Sequence, residues 1–194
     1  MTAELRIAVL AAGAGRRFGG VKLLAPLAGR PLLAWALDAA RAQRNARVAL
    51  VVGCRAKEVT AAVDLAGVEV VPNPHWREGI ASSIRCAVAS LSPGEVGLLF
   101  LGGDQPLVGA AGLAALIARW AARPDRPAAA RYCGVLGLPA LFPRAQLPAL
   151  QGLAGDRGAR RLLAGATPCD LPLAALDVDT PEDLERAERF LRSL

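Results

Sequence analysis

Short apolar runs alternate along this chain with longer segments in which apolar residues recur at helical spacing. An apolar run that ends in glycine or proline is typical of a buried strand, and the longer segments are typical of helices that cover a sheet. We predict strands over residues 5–11, 47–53, 68–71 and 96–102, and helices over residues 31–41, 56–63, 82–91 and 112–122. The strand over 96–102 is the most hydrophobic, so we expect it at the centre of the sheet.

The pattern changes after residue 125. We predict two short strands within residues 127–142, around Gly134 and Gly137, and helical segments near 143–150 and 157–163. A last strand near 173–178 precedes a helix over 181–194. This alternation with short connections predicts an α/β fold of three layers, in which a mostly parallel sheet is covered by helices on both faces. With 194 residues, the chain is expected to form a single domain over 1–194.

Composition narrows the classes of function without choosing one. Lysine and arginine total 23 against 17 aspartate and glutamate, which gives a net charge of +6. The arginines are spread along the chain and aromatic residues make up only 4%, so we expect no nucleic-acid partner. A basic cleft for a phosphorylated small molecule explains the positive charge as well as a nucleic-acid surface would. No apolar run reaches the roughly 18 residues that a membrane helix requires, so we expect no membrane partner.

Cysteine and histidine usage excludes another class. The four cysteines are scattered without a CxxC pair, and the chain has one histidine, His75, which speaks against a zinc site. We therefore expect reduced thiols and a cytoplasmic protein.

A glycine-rich segment with three basic residues follows the first predicted strand. Glycines allow the backbone to approach an anion closely, and Arg16, Arg17 and Lys22 supply charged donors for phosphate oxygens. The alternative is a tight turn with solvated side chains. Lys22 is followed by Leu23, which excludes a Walker A loop, and the spacing from Gly15 to the next glycine is one residue too long for the dinucleotide fingerprint.

Two acidic positions also fall at predicted strand ends, where ligands bind in sheets of this kind. Asp104 follows the strand over 96–102, and a carboxylate there suits either Mg²⁺ or the capping of a turn. Asp179 precedes Thr180, which we predict to cap the last helix with Asp183 in a capping box. Asp177 lies two residues back, on the same face of the predicted strand as Asp179, and is an alternative or supporting ligand.

The connection over residues 73–84 combines proline, tryptophan, glycine and serine. Ser82 has two interpretations: it caps the next helix, or it contacts a ligand. His75 has no neighbouring nucleophile and acid with which to form a hydrolytic triad.

Four motifs together resemble a known family. They are LAAGAGRRFGGVK at 10–22, NPHWREGIASS at 73–83, GDQP at 103–106 and DVDTPEDL at 177–184. They resemble the nucleotidyltransferases that act on the molybdenum cofactor, within the wider sugar-nucleotide pyrophosphorylase superfamily. Ala12 and Gln105 resemble the cytidylyltransferase branch, whereas Phe18 stands where methionine is more usual. Leu138 departs from the polar residue, often histidine, that precedes the proline in the acceptor segment.

The resemblance implies a Rossmann-like nucleotide-diphospho-sugar transferase fold, with a nucleotide-binding half over about 1–125 and an acceptor-binding half over about 126–194. It implies a Mg²⁺-dependent transfer of CMP from CTP to the phosphate of the molybdenum-pterin cofactor, with transient contact to a recipient molybdoenzyme. Transfer from GTP, another phosphorylated acceptor, and a non-catalytic delivery protein remain alternatives.

The resemblance also implies roles for individual residues. The catalytic residues are Lys22, Arg17 and Asp104, and Mg²⁺ is held by Asp104 and Asp179. The nucleotide is bound by Leu10, Ala11, Ala12, Gly13, Gly15, Arg16, Lys22, Gly79, Ser82 and Ser83. The acceptor is bound by Gly137, Pro139, Asp156, Arg157 and Arg160.

Overall fold

A seven-stranded sheet runs through the protein, whose computed structural model describes residues 4–156 and 158–193, apart from the Arg16 side chain. The strands are β1 Glu4–Ala11, β2 Pro26–Leu27, β3 Arg30–Pro31, β4 Ala46–Val52, β5 Val68–Pro72, β6 Glu95–Gly102, β7 Ala128–Tyr132, β8 Val135–Pro143 and β9 Thr167–Asp170. The helices are α1 Leu32–Arg41, α2 Ala56–Ala61, α3 Ile80–Ala89, α4 Gly109–Ala121, α5 Leu147–Gln151 and α6 Pro181–Leu191.

The order of the strands in the sheet is β5-β4-β1-β6-β8-β7-β9, and β2 pairs with β3 in a small separate hairpin. Neighbouring strands β5, β4, β1 and β6 are parallel, β8 is antiparallel to both β6 and β7, and β9 is parallel to β7. The sheet is therefore mostly parallel, and β6 occupies its central position. Both predictions are confirmed.

The sheet is covered on both faces, as the sequence predicted. Along β6, Leu99 and Leu101 belong to a core with α1 and α4, whereas Leu98 and Phe100 belong to a second core with α3 and α5. This alternation follows from the two-residue period of strand side chains. Because both faces are buried, β6 is apolar almost throughout, and this is why its sequence is a continuous hydrophobic run.

The strand predicted near 173–178 is wrong. The strand lies earlier, at β9, and Pro172–Ala175 forms a 3₁₀ turn followed by an extended segment. Ala174 and Val178 are fully buried, so the apolar run reports burial rather than extended pairing. Pro168 lies within β9, where it is tolerated because β9 is at the edge of the sheet.

Two helix starts also differ in detail from the prediction. α3 begins at Ile80 with Gly79 as its N-cap, so neither Ser82 nor Ser83 caps it. The segment near 157–163 is a 3₁₀ turn over Ala159–Leu163, and residue 157 lies outside the described residues. The predicted capping box of Thr180 and Asp183 at α6 is confirmed.

The helices of the described ranges include none with both the length and the apolar character that crossing a bilayer requires.

Candidate active site

The glycine loop leaves the end of β1 and folds back so that Lys22 lies beside the end of β6. Gly15 and Gly19 adopt left-handed backbone conformations, with φ of 59° and 74°. A Cβ atom at Gly15 would lie only 3.1 Å from Lys22 Cβ, so a side chain there would press on the lysine as well as strain the backbone. The loop is tied to β6 because the Gly103 amide donates to the Leu10 carbonyl at 3.0 Å.

Lys22 is held between the two predicted carboxylates. Its Nζ donates to Asp104 Oδ2 at 2.7 Å and to Asp179 Oδ1 at 2.9 Å. The Arg17 guanidinium donates to Asp179 Oδ2 at 2.8 Å. These four residues form what we call the Lys22 cluster. The cluster joins residues from the glycine loop, the end of β6 and the segment before α6, which are far apart in the sequence.

Burial and neighbouring charges shift the pKa of Lys22 in opposite directions. Burial by itself lowers the pKa of Lys22, but the neighbouring Asp104 and Asp179 outweigh it, and the pKa is raised above its ordinary value. The ammonium is therefore charged throughout the physiological range.

Asp177 is a third carboxyl group beside this cluster. Burial, followed by the charges of Asp104 and Asp179, raises the pKa of Asp177 to about 6. Asp177 lies between the 3₁₀ turn over Pro172–Ala175 and α6, where the structure has no strand. The expectation that Asp177 and Asp179 share a strand face is therefore wrong.

A cavity of about 690 Å³ opens in front of the Lys22 cluster. It is lined by Leu10, Ala12, Gly13, Ala14, Gly15, Arg17, Trp76, Arg77, Gly79, Ile80, Ser83, Gly102, Asp104, Gln105, Tyr132, Leu138, Asp156 and Asp177. We call it the main cavity. A smaller cavity of about 170 Å³ lies beside it, and Ala11, Lys22 and Cys54 are among its lining residues.

The structure brings most of the predicted site residues together around these two cavities. Gly137 and Arg160 instead line a separate recess, and Ser82, Pro139 and Asp179 are not among the lining residues of the three cavities. Arg157 lies outside the described residues, as does the side chain of Arg16.

Ser82 does not face the main cavity. Its hydroxyl is buried, donates to the Gly79 carbonyl at 2.8 Å and accepts from the Asn73 amide at 2.8 Å. The same amide donates to the Ser83 hydroxyl at 3.0 Å. Asn73 therefore shapes the loop that carries Gly79 and Ser83. Sequence reasoning missed this role, although a buried-strand end followed by Asn-Pro was the signal for it.

Gln105 links the two halves of the sheet. Its side-chain carbonyl accepts from the Gly102 amide at 3.1 Å, and its amide donates to the carbonyls of Leu138 and Ala174 at 3.1 and 3.2 Å. Both N–H groups of this amide are thus engaged by the protein, so Gln105 supports the wall of the main cavity.

Trp76 and Arg77 are two further cavity residues that the sequence reasoning did not single out. The Arg77 guanidinium lies over the Trp76 ring, 4.4 Å from its centre. A Cβ atom at Gly53 would lie 2.6 Å from Trp76 Cβ, so glycine at the end of β4 leaves room for the tryptophan. The stacking holds a cation at the rim of the main cavity.

Residues predicted for the nucleotide and for the acceptor meet at the start of α3. Gly79 has φ of 99°, and a Cβ atom there would collide with the Asp156 carboxylate. The Ala81 amide donates to the Gly155 carbonyl at 3.1 Å. The segment around Asp156 therefore closes one side of the main cavity.

The donor set fits a hard divalent cation. Asp104 and Asp179 direct oxygen atoms to one point, where the Lys22 ammonium already shows that a cation is held. Across 4–156 and 158–193, no group of three or more His, Cys, Asp or Glu residues is arranged to hold a metal. Two carboxylates suffice for Mg²⁺, because it keeps several waters and is completed by substrate phosphates.

Known proteins resemble this chain in sequence and fold. Rv0371c from Mycobacterium tuberculosis H37Rv is 31% identical, with a TM-score of 0.83 over 97% of this chain and 100% of that one, and it has also been solved as a complex with manganese. Molybdopterin-guanine dinucleotide biosynthesis protein A from Archaeoglobus fulgidus is 20% identical, with a TM-score of 0.73 over 98% of this chain and 100% of that one, and it shares the fold.

The bifunctional protein GlmU of Burkholderia orbicola is 39% identical over 115 residues, which are 58% of this chain and 25% of GlmU. The chain thus spans about a quarter of the length of the curated relatives it matches. The family described as MobA-like NTP transferase domain matches residues 7–171. We conclude that the chain belongs to the family of MobA-like NTP transferase domains and is a nucleotidyltransferase.

Proposed function

We propose that this protein transfers CMP from CTP to the phosphate of the molybdenum-pterin cofactor and releases pyrophosphate. The observation that carries the proposal is the Lys22 cluster at the mouth of the glycine loop, beside a cavity of about 690 Å³, a volume typical of small-molecule sites. The choice of a molybdenum-pterin acceptor is supported by the family and by the four motifs. The choice of CTP is supported by Ala12 and Gln105, which resemble the cytidylyltransferase branch.

The proposed reaction is an in-line displacement. An oxygen of the acceptor phosphate forms a bond to the α-phosphorus of CTP, and the bond between that phosphorus and the β-phosphate oxygen breaks. The attacking oxygen is already ionised, so the protein needs no strong general base. Its contribution is to position both substrates and to compensate charge.

The cations of the Lys22 cluster suit this task. Lys22 remains protonated because of its carboxylate partners, and it can donate to phosphate oxygens. Arg17 has 73% of its side chain exposed at the cavity, so it can turn to the triphosphate. Together they would stabilise the negative charge on the departing pyrophosphate.

Asp104 and Asp179 would hold the divalent cation, which we propose to be Mg²⁺. When bound, Mg²⁺ supplies Lewis-acid polarisation of phosphate oxygens. Asp104 follows the central strand directly, so its carboxylate is fixed by the most buried element of the sheet.

We assign the acceptor to the side of the main cavity that Leu138 and Asp156 line, with Gly137 and Arg160 in the adjoining recess. The acceptor roles of Pro139 and Arg157 rest on the resemblance. The recipient of the product would be a molybdoenzyme that contacts this protein transiently. The four free cysteines are compatible with the proposed cytoplasmic setting.

The test is pyrophosphate release measured with each of the four nucleoside triphosphates, with and without molybdenum cofactor and with Mg²⁺ present. We expect release with CTP only when the cofactor is added, and its loss in Lys22→Gln but not in the matched surface variant Lys57→Gln. Release with GTP instead would overturn the nucleotide assignment. Binding of the cofactor with no release from any nucleotide would overturn the enzymatic proposal in favour of a delivery protein.

A further inference from the structure

A second, apolar recess opens beside the main cavity. Its volume is about 180 Å³, and it lies between α3, the first half of β8 and the 3₁₀ turn over Ala159–Leu163. Its walls are aliphatic, aromatic or glycine surfaces, with the exposed Arg160 as the charged member of the lining. We call it the apolar recess.

The apolar recess adjoins the main cavity. Leu10, Ile80 and Leu138 line both spaces. Ile80 is 38% exposed, which is unusual for a large aliphatic side chain at the start of a buried helix. A substrate seated in the main cavity at Asp104 would therefore have the recess within its reach.

Size and chemistry define what the recess can take. An apolar protein cavity of about 150 Å³ stays dry and binds benzene. The recess is slightly larger, at about 180 Å³, so it suits a group the size of an aromatic ring or a branched alkyl chain. Ile84, Phe100 and Leu163 form its floor and are almost fully buried, so the recess is backed by packed core.

We propose that the apolar recess is a subsite that binds an apolar group, the size of one ring, of the phosphorylated acceptor. The proposal rests on the proposed function, because it assumes that a phosphorylated acceptor occupies the main cavity. It also sets the orientation of a pterin acceptor. The hydrogen-bonding edge of a pterin must lie outside the recess, since its donors and acceptors would lose water there without finding partners on these walls.

Leu138 gives the recess its character. The structure puts Leu138 at the boundary between the main cavity and the recess, because it lines both spaces. A polar side chain at this boundary would bring a hydrogen-bonding group to the entrance. Leucine makes the passage apolar and so favours a less polar group of the acceptor.

Gly158 offers a clean way to fill the recess. Its φ of −68° and ψ of 172° suit any residue, and a Cβ atom there would meet only Ile80 Cγ2, at an ordinary contact distance of 3.8 Å. Gly158→Leu should therefore fill the recess without straining the backbone. Gly94→Leu is the matched control, because nothing lies within 4 Å of a Cβ atom at this exposed turn.

The first readout uses toluene as the probe and does not depend on turnover. Toluene should shift the methyl resonances of Ile80, Ile84 and Leu163 in the wild-type protein and in Gly94→Leu, and should fail to do so in Gly158→Leu. If Gly158→Leu does not fold, Ile80→Thr provides the second variant, and its toluene affinity should fall about fivefold through loss of apolar contact. Toluene binding that is unchanged in a folded variant would overturn the proposal, as would shifts confined to other methyl groups.

The second readout separates this proposal from the proposed function. In Gly158→Leu the KM for the acceptor should rise about tenfold, corresponding to one buried ring-sized contact, while the affinity for CTP stays unchanged. A wild-type protein that binds toluene but transfers no nucleotide would refute the proposed function and leave the recess as an apolar ligand site. Transfer with an unchanged acceptor KM in Gly158→Leu would refute the subsite and leave the proposed function intact.

Discussion

An ion cluster lies at each end of the central strands, and the two clusters differ in how completely the protein satisfies them. At the amino end, Arg6 is 1% exposed and its Nε donates to Glu95 at 2.8 Å, while its other donors reach Glu69 and the Ser90 carbonyl. Glu95 is fully buried and also accepts from the Ser92 amide. Each residue of the Arg6–Glu95 pair therefore has at least one further hydrogen-bond partner within the protein.

The Lys22 cluster at the carboxyl end has the same types of group in a different setting. Asp104 and Asp179 keep 30% and 32% of their side chains exposed, and the main cavity lies in front of them. Asp104 lines the main cavity, and so does Asp177, whose pKa is raised to about 6. Charge alone does not identify a site: the buried Arg6 and Glu95 are satisfied by protein groups, whereas the partly exposed carboxylates of the Lys22 cluster keep acceptor capacity for a ligand.

Asp104→Ala should produce the largest functional effect. If Asp104 holds the metal and orders Lys22, we expect pyrophosphate release to fall about a thousandfold or more, equivalent to about 4 kcal/mol in the activation free energy. The free energy of unfolding should change by about 1 kcal/mol or less, because the lost contact with Lys22 is offset by relief of the repulsion with Asp177, and Lys22 keeps Asp179 as a partner. Asp125→Ala, at an exposed surface position, is the control. Near-normal rates in Asp104→Ala would refute the metal assignment.

Glu95→Ala should have the opposite outcome. The change removes the buried carboxylate that pairs with Arg6 and leaves the half-exposed Glu69 as its counter-charge, so we expect the free energy of unfolding to fall by about 3 kcal/mol. Urea unfolding measures this free energy. The control is Glu185→Ala, which breaks an exposed ion pair with Arg189 and should change the free energy of unfolding by less than about 1 kcal/mol. A loss in Glu95→Ala as small as that in Glu185→Ala would contradict the view that the Arg6–Glu95 pair depends on its burial.

Asp177→Asn should reveal the cost of burying a carboxylate next to the charges of Asp104 and Asp179. The pKa of Asp177 is about 6 in the folded protein and about 4 when unfolded, so the folded state binds more protons between these values. Asp177 therefore reduces stability as the pH rises from about 4 to 6. Relative to wild type, Asp177→Asn should be more stable by about 1–2 kcal/mol at pH 7, with the difference vanishing near pH 4. A difference that is equal at both pH values would contradict this.

Thr180→Ala should have the smallest effect. The Thr180 hydroxyl accepts from the Asp183 amide, and the Asp183 carboxylate accepts from the amides of Asp179 and Thr180. Losing the cap should reduce the free energy of unfolding by about 1 kcal/mol. Because Asp179 is held by the same motif, the metal requirement should rise, seen as a higher Mg²⁺ concentration for half-maximal rate. Thr180→Ser should restore both.

The sequence predicted the strands of the fold better than the contacts around the site, and the roles of the site residues stay predictions. The strands β1, β4, β5 and β6 were predictable because continuous apolar runs mark strands buried on both faces. The strand placed near 173–178 was wrong because the same signal marks a buried 3₁₀ turn, and the true edge strand β9 is short and contains Pro168. Asn73 escaped notice as a structural residue because its partners, Ser82 and Ser83, meet it only through the turn between β5 and α3.

The sequence by itself determined the layered α/β architecture, the glycine loop and the capping box, because these depend on local conformation and on periodic burial. It also supplied the residue types of the Lys22 cluster. Only the tertiary structure decided that Lys22 lies between Asp104 and Asp179, that Gln105 is occupied by backbone carbonyls, and that an apolar recess opens beside Leu138. These relations join residues 33 to 157 positions apart, and their geometry exists only once the strands are aligned in one sheet.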